Sequence, residues 1–178
     1  MRAGRSLLAV VVVVLLQIAM PPNLLIRLAT PGDISAMVPV INAAFAIEGF
    51  LEGTRTDDER LAETMTKGRF LLGCDSAGQL LASVYVEVSD DRGYLGMLAV
   101  HPDHQRTGLG RVMVEAAEHY CRERGCKVMD LRVLSLRPEL PPLYRKLGYL
   151  ECGTEEFRPS RPLKAGVECH CIVMSKRL

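Results

Sequence analysis

The 178-residue chain has no tryptophan and only four phenylalanines and five tyrosines. That is too few aromatics for a stacking platform that would hold single-stranded nucleic acid. Charge of one sign is also lacking: 22 basic and 21 acidic side chains leave a net charge of +1, which gives no electrostatic footprint for nucleic acid or for a strongly acidic partner. The six cysteines (Cys74, Cys121, Cys126, Cys152, Cys169 and Cys171) form no C-x-x-C pair. In Cys169-His170-Cys171 a strand would turn the cysteines to one face and the histidine to the other, a poor start for a tetrahedral metal site. Reduced thiols scattered through a cytosolic core are the expectation, with no metal.

No apolar run is long enough to span a membrane. Leu7 to Leu16 follows Arg2 and Arg5, but it falls short of the roughly 20 residues a spanning helix needs. The basic-then-apolar order imitates a signal peptide, yet Gln17-Ile18-Ala19 is a poor cleavage site. Residues 1–22 are therefore set apart as an apolar leader. Translation starting at Met20 is the preferred reading, a weak membrane tether the second and secretion the third; membrane contact is expected only if the leader is translated. No repeat, low-complexity tract or linker follows Pro22, so residues 23–178 are expected to form a single domain with a sizeable core.

What is present is one unbroken joint from Gly96 to Arg111, Gly-Met-Leu-Ala-Val-His-Pro-Asp-His-Gln-Arg-Thr-Gly-Leu-Gly-Arg, leading into a helical run to about Gly125. It reads as an apolar strand, a tight turn and a glycine loop opening a long amphipathic helix. Such a joint presents unpaired N–H groups at the positive end of a helix dipole, a seat for phosphate or pyrophosphate. Gly108 and Gly110 let an anion come close to the backbone. The dinucleotide fingerprint fails because Met113 holds its third glycine position, and the phosphate loop of nucleotide hydrolases fails because no Gly-Lys-Ser/Thr follows.

Around this joint the chain reads as follows. Leu24 to Leu28 is a first strand. Thr30-Pro31-Gly32-Asp33 starts a helix whose stripe is Ile34, Met37, Val38, Ile41 and Phe45, with Pro39 expected to bend it or delay its start. Ala46 to Arg55 is a loop. A capping box at Thr56-Asp57-Asp58-Glu59 opens a second helix that runs to about Lys67 and stops at Gly68. Phe70 to Cys74 and Leu80 to Val88 are strands joined by a turn; in the second, Ala82, Val84, Val86 and Val88 face the core and Ser83, Tyr85 and Glu87 make a polar face. Tyr94 to Val100 follows as a strand. The helix after the loop puts Leu109, Val112, Met113, Ala116, Ala117 and Tyr120 inward, with Glu115, Glu118, Arg122 and Glu123 largely away. Lys127 to Leu134 is a strand, Leu143 to Leu147 a short helix, and Tyr149 to Phe157 and Glu168 to Ser175 the closing strands.

Strand, His-Pro turn, Gln105-x-x-Gly108-x-Gly110 and helix, in that order, resemble motif A of the GNAT superfamily, the acyl-CoA-dependent N-acyltransferases. Leu143-Tyr144-Arg145-Lys146-Leu147-Gly148-Tyr149 is similar to the same family's L-Y-x-x-x-G-F/Y segment. The resemblance covers roughly Ile26 to Leu178. It implies an α/β fold: a mixed, mostly antiparallel sheet with helices on both faces, in the order β-α-α-β-β-β-α-β-α-β-β. It also implies N-acetyltransfer by direct attack of a primary amine on acetyl-CoA in a ternary complex. The alternative is a non-catalytic acyl-CoA-binding regulatory module on the same fold.

Carried over residue by residue, Gln105, Arg106, Thr107, Gly108, Leu109 and Gly110 would offer amides to the pyrophosphate, with Thr107 adding a hydroxyl. Arg106 and Arg111 would meet the phosphates as cations, or stand solvated. The edge of Leu98, Ala99 and Val100 would pair with the pantetheine and aim an N–H at the thioester oxygen. Gly96 would mark a bulge that helps this strand splay from the next. Tyr144 would protonate the leaving thiolate, since a phenol of pKa about 10 is protonated at neutral pH.

Two departures stand out. Gly96 and Met97 occupy the place of a frequent acidic residue, and Arg137 stands where an asparagine is common. No general base transfers, leaving Glu87 first, Glu48 and Glu139 behind it, and a water chain as the equal alternative. His101 and His104 read as turn residues. The implied acceptor is a small-molecule or peptide amine of open identity, the implied location cytoplasmic, and a homodimer stays open.

Overall fold

The computed structural model describes residues 24–158 and 161–178; the leader therefore lies outside the described residues. Seven strands form one sheet: β1 (Leu25–Leu28), β2 (Arg69–Cys74), β3 (Leu80–Ser89), β4 (Arg92–Val100), β5 (Val128–Leu134), β6 (Leu150–Glu156) and β7 (His170–Arg177). Their order across the sheet is β1-β2-β3-β4-β5-β7-β6. Every neighbouring pair is antiparallel except β4 and β5. The helices are α1 (Ile34–Ala44), α2 (Asp58–Lys67), α3 (Leu109–Arg122) and α4 (Leu140–Lys146). This is the mixed α/β architecture and element order that the resemblance implies. Among the described residues no helix is long and apolar enough to cross a membrane.

While β6 at one edge is exposed along its length, the central strands of the sheet are covered on both faces. On one, α3 sets Leu109, Met113, Val114, Ala117 and Cys121 against Val84, Val86, Leu95, Met129 and Leu131, with Tyr144 and Tyr149 in the same cluster. On the other, Met37 and Ile41 of α1 and Leu61 of α2 pack on Phe70, Leu72, Tyr85 and Ala99. The polar face expected of β3 is accordingly not a solvent face. Ser83 and Tyr85 are buried beneath α1, and Val88, expected inside, is exposed near the strand end.

Local signals explain most helix limits. α1 is preceded by a single 3-10 turn at Pro31–Asp33 and runs on through Pro39, whose ring lies on the exposed side. The hydrogen bond that proline removes is one that water can replace there. The cap of α2 is Asp57 rather than Thr56, its carboxylate accepting from the Arg60 N–H at 2.8 Å. Thr56 is instead clamped by Asn42, which accepts from the Thr56 N–H at 2.9 Å and donates to its carbonyl at 3.0 Å. α4 begins three residues earlier than expected, at Leu140, because Pro141 and Pro142 fall in its first turn, where a missing N–H costs nothing.

The largest departure from the expected burial is on α3. Glu118, placed by its spacing largely away from the core face, is only 4 % exposed. It accepts hydrogen bonds from the Tyr149 hydroxyl at 2.9 Å and from Lys176 Nζ at 2.7 and 2.8 Å. A helix flank that would meet water in isolation here meets the β6–β7 end of the sheet.

A splayed cleft between two parallel strands

β4 and β5 pair only from Arg92 opposite Val128 to Leu95 opposite Leu131. Beyond that point they diverge. The separation coincides with an irregularity on the other edge of β4: Ser83 faces Ala99 and Tyr85 faces Gly96, so Met97 and Leu98 together oppose Val84. Met97 carries the strained φ of 44° that this bulge requires. The bulge expected at Gly96 therefore falls one residue later. Gly96 has a separate function: a Cβ there would stand 2.9 Å from Tyr94 Cε1, so its lack of a side chain makes room for the Tyr94 ring.

The splay opens a cleft of about 1010 Å³ that runs past both faces of the sheet. At one end lie Gln105 and Arg106, at its middle Leu98, Val100 and Tyr144, and at the other end Phe45, Glu48, Arg55 and Tyr94. Past the His101–His104 turn, Arg106 and Gly108 adopt φ of 61° and 88°, and Gly108 caps α3. Among the described residues no backbone acceptor takes the N–H of Arg106, Thr107 or Gly108. Leu109, Gly110 and Arg111 follow as the first turn of α3, whose N–H groups have no intrahelical acceptor. Six consecutive backbone donors thus gather at one helix start.

Not every side chain expected there is free. The Thr107 hydroxyl donates to the His104 carbonyl at 2.7 Å, Gln105 Nε2 donates to the Val100 carbonyl at 3.2 Å, and Arg111 pairs with Glu115 at 2.8 Å. Arg106 is exposed and lines the cleft.

Tyr144 projects from α4 into the cleft while being 93 % shielded from solvent. Its ring meets Tyr149 edge-on, with centroids 5.8 Å apart. Burial pushes its phenol up to about 12, with Tyr94 adding to the rise and Arg137 opposing it.

The three candidate bases separate. Glu87 lines a different depression of about 450 Å³ with Arg92 and Asp130, and accepts from the Tyr85 hydroxyl at 2.6 Å. Glu48 and Glu139 do line the main cleft. Glu48 is buried and surrounded by arginines, with Arg137 Nη1 at 3.3 Å, Arg55 Nη1 at 3.7 Å and Arg161 Nη2 at 3.8 Å.

The wall carrying Glu48 is built by two loops joined to each other. The α1–α2 loop and the β6–β7 loop meet at the isolated pair Leu51 and Leu163, where Glu52 N donates to the Pro162 carbonyl and Lys164 N to the Phe50 carbonyl, both at 3.0 Å. Arg161 adds a 2.9 Å bond to the Gly53 carbonyl. Arg55, Arg132 and Arg161 were absent from the sequence-derived site. No periodic or motif signal marks an arginine in a loop.

The Acetyltransferase (GNAT) family model matches residues 39–149. Mycothiol acetyltransferase of Propionibacterium freudenreichii subsp. shermanii is 25% identical over 140 residues, which cover 74% of this chain and 45% of that protein. The ribosomal protein bS18 alanine N-acetyltransferase of Escherichia coli is 34% identical over 74 residues, 42% of this chain and 50% of that one. The chain thus spans about half the length of the curated relatives it matches. Among solved structures, a GNAT superfamily phosphinothricin acetyltransferase from Sinorhizobium meliloti in complex with AcCoA superposes with a TM-score of 0.70 at 16% identity, over 88% of this chain and 89% of that one.

Proposed function

Because the chain belongs to the GNAT acetyltransferase family, we propose that it moves an acetyl group from acetyl-CoA to a primary amine by direct attack within a ternary complex. The observation that carries this reading is the cleft, which joins a row of unpaired amides at the start of α3 to a buried tyrosine across the splay of β4 and β5.

In this reading the amides from Arg106 to Arg111 seat the pyrophosphate at the positive end of α3, and Arg106 adds a cation. The smallness of Gly110 serves what docks there: a Cβ would meet only Val100 Cγ2, at an ordinary 3.7 Å. The edge of Leu98, Ala99 and Val100, released from β5, pairs with the pantetheine amides and gives one N–H to the thioester oxygen as charge develops on it. The amine attacks the carbonyl carbon, the C–S bond breaks, and Tyr144 gives its proton to the departing sulfur. A phenol pushed up to about 12 is fully protonated at neutral pH, and the same apolar surroundings raise the proton affinity of a thiolate formed beside it. The proton released by the amine leaves through water or through Glu139, the more exposed of the two candidate bases that line the cleft; Glu87 stands outside it. The absence of an acid at Gly96 and Met97 favours a second reading, a module that binds acyl-CoA without transferring the acyl group.

Calorimetric titration of acetyl-CoA into the protein and into a Gly110→Glu variant tests the proposal. Glu suits the first turn of a helix, so the variant folds, but it puts bulk and negative charge in the phosphate seat. Saturable binding by the parent, weakened at least about ten-fold in the variant, a difference of roughly 1.4 kcal/mol, supports the seat. No binding by the folded parent overturns both readings.

A further inference from the structure

We infer that the Glu48 end of the cleft recognises an anionic group on the acceptor, so that the amine acetylated is one that also carries a carboxylate. This deepens the acetyl-transfer reading and rests on it. The inference starts from an imbalance of charge. One carboxylate, Glu48, is approached by three guanidinium groups, and only Arg137 comes within hydrogen-bond distance, at 3.3 Å. Glu139 accepts from Arg137 Nε at 2.6 Å. Two carboxylates among three arginines leave one positive charge over.

Arg55 is the group with least to hold. It stands 3.7 Å from Glu48 Oε2, beyond a hydrogen bond, and among the described residues its side chain makes no hydrogen bond. Its guanidinium lies over the Phe45 ring, 4.6 Å from the centroid, a contact that occupies one face of the fork and none of its N–H donors, and the residue lines the cleft. Behind it, Arg161 and Glu48 are both more than nine-tenths buried, and Arg161 Nη2 stands 3.8 Å from Glu48 Oε2 with no hydrogen-bond partner of its own. A single buried carboxylate beside this second guanidinium leaves its donor unsatisfied, so the cationic side of the cluster is the one in excess.

A monoanionic carboxylate on the fork of Arg55 supplies two acceptor oxygens in matching geometry and cancels the residual charge. The alternating Arg132–Glu155 and Arg158–Glu156 pairs on the same rim are each neutral, so they do not compete for it. The acceptor class is therefore an amino acid-like zwitterion, with its anion at Arg55 and its amine toward the bulge at Met97 and Leu98.

Matched probes test this. Phenylalanine and phenethylamine, leucine and isoamylamine, and lysine and cadaverine differ by the carboxylate alone. CoA release is followed for each, and binding of each to the CoA-loaded protein is measured by calorimetry. At least one amino acid is expected to exceed its decarboxylated partner by about ten- to hundred-fold in kcat/KM, the value of one charge-assisted hydrogen bond or two. Arg55→Gln is expected to collapse that ratio chiefly through KM, and Arg55→Lys to restore part of it, with acetyl-CoA affinity as the check that each variant is folded. Equal or better use of the decarboxylated amines overturns the inference. So does the failure of every amino acid to react or bind while acetyl-CoA binds, an outcome that leaves the acetyl-transfer reading standing. Failure of acetyl-CoA itself to bind removes that reading and the inference with it.

Discussion

Tyr149 gives its hydroxyl hydrogen to Glu118 Oε1 across 2.9 Å, inside the layer where α3 covers the sheet. The same carboxylate receives Lys176 Nζ on both oxygens, so one side chain ties a helix to two loci near the end of the sheet. Glu118→Ala would leave a buried phenol and a largely covered ammonium unpaired. Because Lys176 keeps 25% of its side chain in water, the loss is expected at about 2–3 kcal/mol, below that of a fully buried pair. Glu118→Gln, which still accepts from Tyr149, should lose about half of that. Urea unfolding of the three proteins checks the order, and an unchanged midpoint for Glu118→Ala would refute it.

Asp33 offers a pH test. Its carboxylate is held well below the usual carboxylate range, first by hydrogen bonds from Arg27 and then by those from the backbone and side chain of Thr30, against the opposing effect of burial. A depressed folded value means stability that is present above the unfolded value of about 3.9 and lost as pH falls below it. Asp33→Asn is therefore expected to cost about 1 kcal/mol at pH 7, the usual worth of a helix-start cap. The gap between parent and variant should close progressively below about pH 4. A gap that widens on acidification would contradict the assignment.

For Tyr144, replacement by Phe keeps the edge-on packing against Tyr149 and removes only the proton. Turnover with an authenticated acceptor is expected to fall by about 10²-fold or more, with acetyl-CoA affinity little changed. Since burial pushes the phenol up to about 12, an alkaline limb below pH 10 would not belong to it. Parent and variant should accordingly show the same profile shape between about pH 6 and 10. Unchanged turnover in the variant would remove Tyr144 from the chemistry.

Gly96→Ala tests the slot. The new Cβ would fall 2.9 Å from Tyr94 Cε1 and 3.2 Å from its hydroxyl, so the ring must move and the Glu48 side of the cleft must reshape. The pyrophosphate seat, from Arg106 to Arg111, lies ten residues or more further along the chain and is untouched. The expected result is a rise of about ten-fold in acceptor KM with acetyl-CoA binding preserved. Equal loss of both affinities would show instead that the splay itself had collapsed.

The contiguous features were open to reading without coordinates. The joint from Gly96 to Arg111 carries its meaning in neighbouring residues: a strand, a turn and a helix start whose unpaired amides follow from backbone geometry alone. The same holds for the α2 limits, shifted by one residue at the cap, and for the extent of β5, which starts one residue later than expected. Periodicity by itself did not supply the topology; resemblance to a family did.

The tertiary structure decided which charges face water. Glu118 reads as a solvated flank because an isolated helix has one apolar stripe, yet its partners Tyr149 and Lys176 lie 31 and 58 residues away. Glu48 meets Arg137 across 89 residues, and Arg161 reaches Gly53 across 108. A local pattern records the propensity of a segment for helix, strand or turn, which depends on near neighbours. The identity of the group opposite a buried charge depends on how two loops close over the sheet, and no spacing within either loop encodes that.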